Sequence, residues 1–161
     1  GACAALTALV SSGLPSSSFV FEGFLPRKRI DKEKILLEIS KNEKTTIIYE
    51  SPKRLRKLLK QLFEFCGGDR EIIVARELTK KFEEHIGNNI NDVIDFFKDK
   101  DIIGEITIVI KGINKGDLKI DKLTIKKDLN DLINAGLTLS AASKYLAKKN
   151  GIKKSEVYKM I

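Results

Sequence analysis

An α/β fold, with a mixed sheet of about five strands, flanking helices and a small helical extension at the C-terminal end, is predicted by three observations. Thr45–Tyr49, Glu71–Arg76 and Ile102–Ile110 are runs rich in β-branched residues, with the apolar continuity of strands buried on both faces. Around them lie segments with apolar residues at i, i+3, i+4 and i+7, the spacing of a helix that lays one face on a core. After residue 112 the strand pattern stops, and glycines and lysines lead into three short amphipathic segments. The chain therefore reads as an α/β domain over residues 1–112, followed by a linker and a helical, helix-turn-helix-like extension over 113–161.

Ala2–Ser12 is small and apolar throughout and closes at Gly13, which reads as a buried helix with a glycine C-cap. Phe19–Leu25 alternates aromatics with Glu22 and Gly23, a strand with a bulge or close backbone approach at the glycine, stopped by Pro26. Asp31 reads as the cap of a helix running to about Lys41 with Ile35, Leu36 and Ile39 inward. Thr45–Tyr49 then feeds a helix through a sharp turn. Ser51 stands at the N-cap, and Pro52 takes the first helical position, where a missing N–H costs nothing. Leu55, Leu58, Leu59, Leu62 and Cys66 form the apolar stripe, Lys53, Arg54, Arg56, Lys57 and Lys60 lie largely off it, and Gly67-Gly68 ends the helix.

Glu71–Arg76 is a strand, Glu77–Lys81 a polar loop, and Phe82–Ile86 a weaker strand closed by Gly87-Asn88; an antiparallel pairing of these two strands is open. Asn89 or Asn91 caps a short helix over Val93, Ile94, Phe96 and Phe97, and Ile102–Ile110 is the last strand. Lys111–Lys119 reads as a polar linker. Three helices follow: Thr124 or Asp128 to Ala135, Ser140 to Lys149, and Lys154 to Met160, separated by Gly136 and Gly151, with Thr138 or Ser140 capping the second.

Composition narrows the chemistry. Cys3 and Cys66 form no CxxC pair and His85 is the sole histidine, which excludes a disulfide framework and a zinc site. Catalysis would rest on carboxylates, hydroxyls, backbone groups or a cofactor. No apolar run reaches membrane-spanning length and the opening lacks a basic flank, so the expected location is the cytoplasm. The first residue, Gly1, leads straight into a helical pattern, and the expectation is that an N-terminal part is missing. The net charge of +8 is uneven: residues 1–110 hold 18 Lys and Arg against 17 Asp and Glu, whereas residues 111–161 hold 12 Lys against 5 acids. A basic tail suits a polyanion such as RNA or DNA, or an anionic surface, and lysines kept for solubility explain it equally well.

No Rossmann, P-loop, zincin or serine-hydrolase motif is present. Glu50, Arg76-Glu77, Glu83-Glu84 and Gly104-Glu105 instead fall at or beside predicted strand ends, where open α/β sheets collect ligands. His85 reads as an exposed or packing residue rather than a base.

Four stretches in order, FVFEGFLPRKR (Phe19–Arg29), IIYESPKRL (Ile47–Leu55), VARELTKKFEE (Val74–Glu84) and GEITIVIKG (Gly104–Gly112), preceded by ACAALTALVSSGLP, resemble the C-terminal half of ribosomal RNA small subunit methyltransferase I. That family belongs to the tetrapyrrole-methylase superfamily. The resemblance covers residues 1–112, and the helical tail is similar, more weakly, to the family's variable extension. It implies the C-terminal domain of a two-domain tetrapyrrole-methylase fold, S-adenosylmethionine as cofactor in the cleft between the domains, and 2′-O-methylation of a cytidine ribose in small-subunit ribosomal RNA. It also implies a homodimer for the full-length protein; no metal is expected, on the cysteine and histidine content above. The family's N-terminal domain, with its G-x-G-D-P-type loop, has no counterpart here, so this chain alone is expected to bind the cofactor weakly or not at all and to be inactive.

Carried over by position, Cys3 and Ala4 match a small-residue pair that touches the cofactor. Tyr49, Glu50 and Ser51 match the turn on its methionine or ribose side, Glu77, Leu78 and Thr79 a second loop, and Gly104, Glu105 and Ile106 the start of the strand near the adenine. A ribose hydroxyl is a poor nucleophile until its proton leaves, and Glu50 or Glu83 are the candidate bases. Arg27, Lys28, Arg29, Lys53 and Arg54 are the candidate phosphate contacts, since backbone phosphates demand cations. Two other readings stay open: a methylase of the same superfamily acting on a small tetrapyrrole, and a non-enzymatic nucleic-acid-binding module built on the tail.

Overall fold

A computed structural model describes residues 1–114, 122–150 and 152–160. The chain divides into two compact units, Gly1–Asp117 and Leu118–Ile161. In the first, α1 (Ala4–Ser12) precedes β1 (Phe19–Phe24), α2 (Arg29–Lys41), β2 (Thr45–Glu50), α3 (Pro52–Cys66), β3 (Glu71–Arg76), β4 (Glu84–Asn89), α4 (Ile90–Phe97) and β5 (Ile106–Ile110). The second holds α5 (Lys122–Asn134), α6 (Leu139–Asn150) and α7 (Lys154–Tyr158).

The five strands form one mixed sheet in the order β1-β2-β5-β3-β4. Only β1 and β2 pair in parallel, joined through α2; β5 inserts between β2 and β3 and runs antiparallel to both, and β4 folds back antiparallel on β3. Every residue of β5 is buried, as expected of a central strand covered on both sides. One side is thick: Leu55, Leu58, Leu59 and Leu62 of α3, with Leu36 and Ile39 of α2 and Val93 and Phe97 of α4, pack on Ile48, Ile72, Val74 and Ile108 of the sheet. The other carries α1, whose Ala5, Ala8 and Leu9 cover Ile47, Ala75 and Val109. The second unit has its own core of Ile125, Leu129, Ala142, Leu146, Ala147 and Val157.

Several expected boundaries move, each for a local reason. Helix α1 begins at Ala4 and is not buried all round: Leu6 and Val10 are exposed, because only the stripe facing the sheet is covered. Asp31 lies in the first turn of α2 instead of capping it; the helix begins at Arg29, whose Nε donates to Glu33 Oε1 at 2.7 Å, and Lys28 holds the cap position with no side-chain bond. Strand β4 is Glu84–Asn89 rather than Phe82–Ile86, so Gly87 and Asn88 lie inside it. Gly87 pairs with Ile73, whose side chain fills the space a Cβ would take. Strand β5 begins at Ile106 rather than Ile102, because Gly104 turns the backbone at φ +94°.

The bulge expected at Gly23 is present, as a register slip against β2 between Phe21 and Gly23, with φ +64° at the glycine. Asn89, of the two candidates, caps α4: its side-chain oxygen accepts from the Asp92 amide at 2.9 Å. Thr138 is the cap before α6, accepting from the Ala141 amide at 3.2 Å. Helix α5 starts at Lys122, ahead of either expected cap. Most of the expected linker Lys111–Lys119, and Gly151, lie outside the described residues; at the linker's start Lys111 pairs with Glu71 at 2.9 Å and the Ile113 amide donates to the Asn42 carbonyl at 2.8 Å.

Because Leu58 is fully buried, Leu58→Ala is expected to lower unfolding stability by about 2–5 kcal/mol. Val10→Ala, on the exposed side of α1, should cost less than about 0.5 kcal/mol in the same urea titration.

Candidate functional site

Strand register builds the site before any side chain does. Glu50 of β2 lies opposite Ile106 of β5, Ile106 opposite Arg76 of β3, and Arg76 opposite Glu84 of β4; beside Glu50, Tyr49 faces Phe24 of β1. The carboxyl ends of β1, β2 and β3 thus meet the starts of β4 and β5 at one end of the sheet. That end is where α/β sheets gather ligands.

The turn from β2 to α3 is tied by one carboxylate. Glu50 is only 5% exposed, and its Oε1 accepts from the Ser51 amide at 2.7 Å and from Arg54 Nε at 2.9 Å. Ser51 is the N-cap residue with Pro52 following, as the sequence requires, yet its hydroxyl makes no capping bond and instead accepts from Arg54 Nε at 3.1 Å. Around this turn is a cleft of about 440 Å³ lined by Ala4, Phe24, Tyr49, Glu50, Ser51, Pro52 and the Gly104–Thr107 segment. Tyr49 is fixed by edge contacts with Phe21 and Phe24, ring centroids 5.1 and 5.6 Å apart. Its walls are aromatic and apolar, with two carboxylates and three hydroxyls among them. Cys3 sits one residue outside the cleft as the exposed N-cap of α1.

The second expected loop braces the cleft rather than lining it. Glu77 and Thr79 hold positive φ of 52° and 63°. The Glu77 amide donates to the Glu105 carbonyl at 2.9 Å, the Glu105 amide donates to Glu77 Oε1 at 2.7 Å, and Lys80 Nζ reaches Glu77 at 3.3 Å and Glu105 at 3.1 Å. A Cβ on Gly104 would run into the Glu77 side chain, so this close approach needs glycine. The Glu105 amide, with help from Lys80, holds the Glu77 carboxyl below its ordinary value, and the paired carboxylates hold Lys80 above its own. Leu78 turns inward onto the cluster beneath α1. Glu83 is not beside Glu50: its carboxylate contacts His85 Nε2 at 2.7 Å and accepts from the Thr79 amide at 2.7 Å, bonds that also depress its pKa. The two candidate bases therefore occupy different places.

A groove of about 900 Å³ runs along α2 and α3, lined by Arg27, Arg29, Lys32, Lys53, Arg54, Lys57 and Lys60 against Glu33, Glu50 and Glu64. Four of the five expected phosphate contacts meet there; Lys28 does not line it. Lys32, Lys57 and Lys60 are additions, and the signal for two of them was available, since 53, 57 and 60 recur at helical spacing on one face of α3. Lys32 gave none, because only the packing of α2 beside α3 brings it there. Burial pushes the Lys32 ammonium below the ordinary lysine value, the Glu50 charge opposes that, and Lys57 and Arg54 add to the depression. Glu50 and Ser51 line both the cleft and the groove.

Residues 1–94 match the family of tetrapyrrole (corrin/porphyrin) methylases. The proteins named ribosomal RNA small subunit methyltransferase I from Bacillus subtilis and Vibrio cholerae are 40% and 37% identical, over 98% and 99% of this chain and 56% of each relative. That from Synechocystis is 36% identical over 99% of this chain and 58% of the relative. The chain thus spans little more than half the length of the curated relatives it matches. Among solved structures, the methyltransferase CobJ superposes with a TM-score of 0.54 at 20% identity, covering 70% of this chain and 48% of that one. The cobalt precorrin-4 methyltransferase CbiF gives 0.53 at 15%, covering 69% and 49%. These likenesses are of fold.

Glu77 and Glu83 both have folded-state pKa values below their unfolded ones. Their contribution to stability is therefore present above the ordinary carboxylate value near 4.5 and is lost as pH falls through the lower folded values. In urea unfolding at neutral and acid pH, the Glu77→Gln/Glu83→Gln variant should be less stable than the wild type at neutral pH and should lose less on acidification.

Proposed function

The chain belongs to the tetrapyrrole (corrin/porphyrin) methylase family, and we propose that it is the C-terminal portion of an S-adenosylmethionine-dependent ribosomal RNA methyltransferase acting on a cytidine ribose 2′-hydroxyl of the small subunit. The observation that carries this reading is the common wall: Glu50 and Ser51 line an aromatic, carboxylate-bearing cleft on one side and a seven-cation groove on the other. A nucleic-acid methylase needs its cofactor and its phosphate track side by side. A small-tetrapyrrole methylase needs charge only at its pocket, whereas these cations continue from Lys53 to Lys60, about 10 Å along α3. The names borne by the relatives agree with an RNA substrate.

Tyr49, Glu50 and Ser51, with Ala4 and Gly104–Ile106, are the residues that would hold S-adenosylmethionine, which when bound supplies an activated methyl group. Tyr49, clamped by two phenylalanines, offers a rigid π face that suits a positive centre. Lys80 and the crossed Glu77–Glu105 bonds hold the Gly104–Ile106 segment in one conformation, which is the alignment a displacement reaction requires. In this reading Glu50, which lines both cleft and groove, takes the hydroxyl proton of an RNA strand lying in the groove. Arg54 and the Ser51 amide fix the orientation of its carboxylate.

In the intact enzyme, Glu50→Gln is expected to lower methyl transfer to small ribosomal subunits by about 10²–10⁴-fold while Glu83→Gln stays near wild type. Unchanged turnover in Glu50→Gln would remove it from that role, and transfer to a porphyrinoid in place of the subunit would overturn the RNA assignment. Charge reversal at Arg27, Arg29 and Lys53 should weaken RNA binding and reduce the salt slope by roughly 2 to 3; an unaltered slope would count against the groove.

A further inference from the structure

Helix α6 has two faces of opposite character. Ala142, Ser143, Leu146 and Ala147 are buried, while Ala141, Lys144, Tyr145 and Lys148, at i, i+3, i+4 and i+7, form an exposed stripe. Lys149 beside it is spoken for, since its Nζ reaches Asp128 at 3.4 Å. Helix α7 is tied to the start of α6 by Lys154 Nζ, which donates to Ser140 Oγ at 2.7 Å, and the turn between them is closed by the Ile152 amide on the Ala147 carbonyl at 3.1 Å. One turn further along α7 stands Tyr158, 49% exposed; Tyr145 is 56% exposed. Two large aromatic rings stand in solvent beside lysines, and neither belongs to the unit's core among the described residues. Nor do they suit a solubility surface, where aromatics are avoided.

We propose that the exposed side chains of α6 and α7 provide a second RNA-docking surface, in which Lys144 and Lys148 contact backbone phosphates and Tyr145 and Tyr158 stack on unpaired bases. The charge is complementary: residues 111–161 carry 12 Lys against 5 acids. Exposed aromatics interleaved with cations are the equipment of proteins that bind single-stranded or looped RNA, where bases are free to leave their neighbours. A DNA duplex, with its bases stacked inside, would use the lysines and leave the tyrosines idle. The proposal rests on the RNA reading above for its substrate class, but it concerns different residues, so the two fail separately.

The test measures binding of the full chain to a labelled RNA hairpin with an unpaired loop, across a range of salt. Lys144→Glu/Lys148→Glu is expected to weaken binding about tenfold or more and to lower the salt slope by roughly 1 to 2, and Lys144→Arg/Lys148→Arg to restore both. Lys122→Glu/Lys126→Glu, the same charge change on α5, should do markedly less. Tyr145→Ala/Tyr158→Ala should weaken loop binding about tenfold and leave affinity for a blunt DNA duplex within twofold. Equal losses from the α6 and α5 reversals would reduce the effect to net charge and overturn the proposal. So would tyrosine variants that bind the hairpin normally, or that lose duplex DNA as much as RNA. If Arg27, Arg29 and Lys53 reversals change nothing while the α6 variants weaken the hairpin, the groove reading fails and this one stands.

Discussion

One buried carboxylate ties the candidate site to the fold. Glu50 ends β2, and its single oxygen Oε1 takes the Ser51 amide and the Arg54 guanidinium together. Left unpaired, a carboxylate this buried would cost several kcal/mol, so the strand end, the first turn of α3 and the Arg54 side chain are ordered as one group. The same arrangement places the acid between an aromatic cleft and a cationic groove. A structural bond and a candidate chemical group are here the same atoms.

Around that anchor the sheet does the assembling. Because β5 enters between β2 and β3 antiparallel to both, its first residue, Ile106, sits level with Glu50 and Arg76, and the segment before it must cross the end of the sheet. Gly104 allows the crossing by adopting a positive φ and by leaving room for Glu77. The Glu77–Lys80–Glu105 network then holds the crossing segment against the cleft, Glu105 lining it while Glu77 and Lys80 stand outside. Charge is placed by the other layer: α3 buries its four leucines and so turns Lys53, Lys57 and Lys60 outward, and α2 adds Arg29 and Lys32 alongside.

Much of this was legible in the residues, because it is local. The β2–α3 unit follows from a β-branched run, a cap residue, a proline and a leucine stripe, and each of those signals acts within a few positions. The bulge at Gly23 and the cap at Asn89 are of the same kind. What escaped depends on distant partners. Gly87 reads as a strand breaker until Ile73 is placed opposite it. The early start assigned to β5 follows apolar residues that join no strand ladder, Ile102 packed on the core and Ile103 in solvent. Glu50 and Glu83 look equivalent as loop acids, and only register separates one at the cleft from one paired with His85. Lys32 joins the groove through helix packing, for which a single helix carries no sign.

The central claim is that cleft and groove are distinct sites meeting at Glu50 and Ser51. Amide chemical-shift mapping of the isotope-labelled chain tests it most directly, since weak binding still moves resonances. Adding S-adenosylmethionine should shift the amides of Ala4, Tyr49, Glu50, Ser51 and Gly104–Thr107 and leave Lys57 and Lys60 in place. Adding an RNA hairpin should move Lys32, Lys53, Lys57 and Lys60, with Glu50 and Ser51 responding to both. Cofactor shifts confined to other parts of the chain, or RNA shifts that miss α2 and α3, would contradict the account.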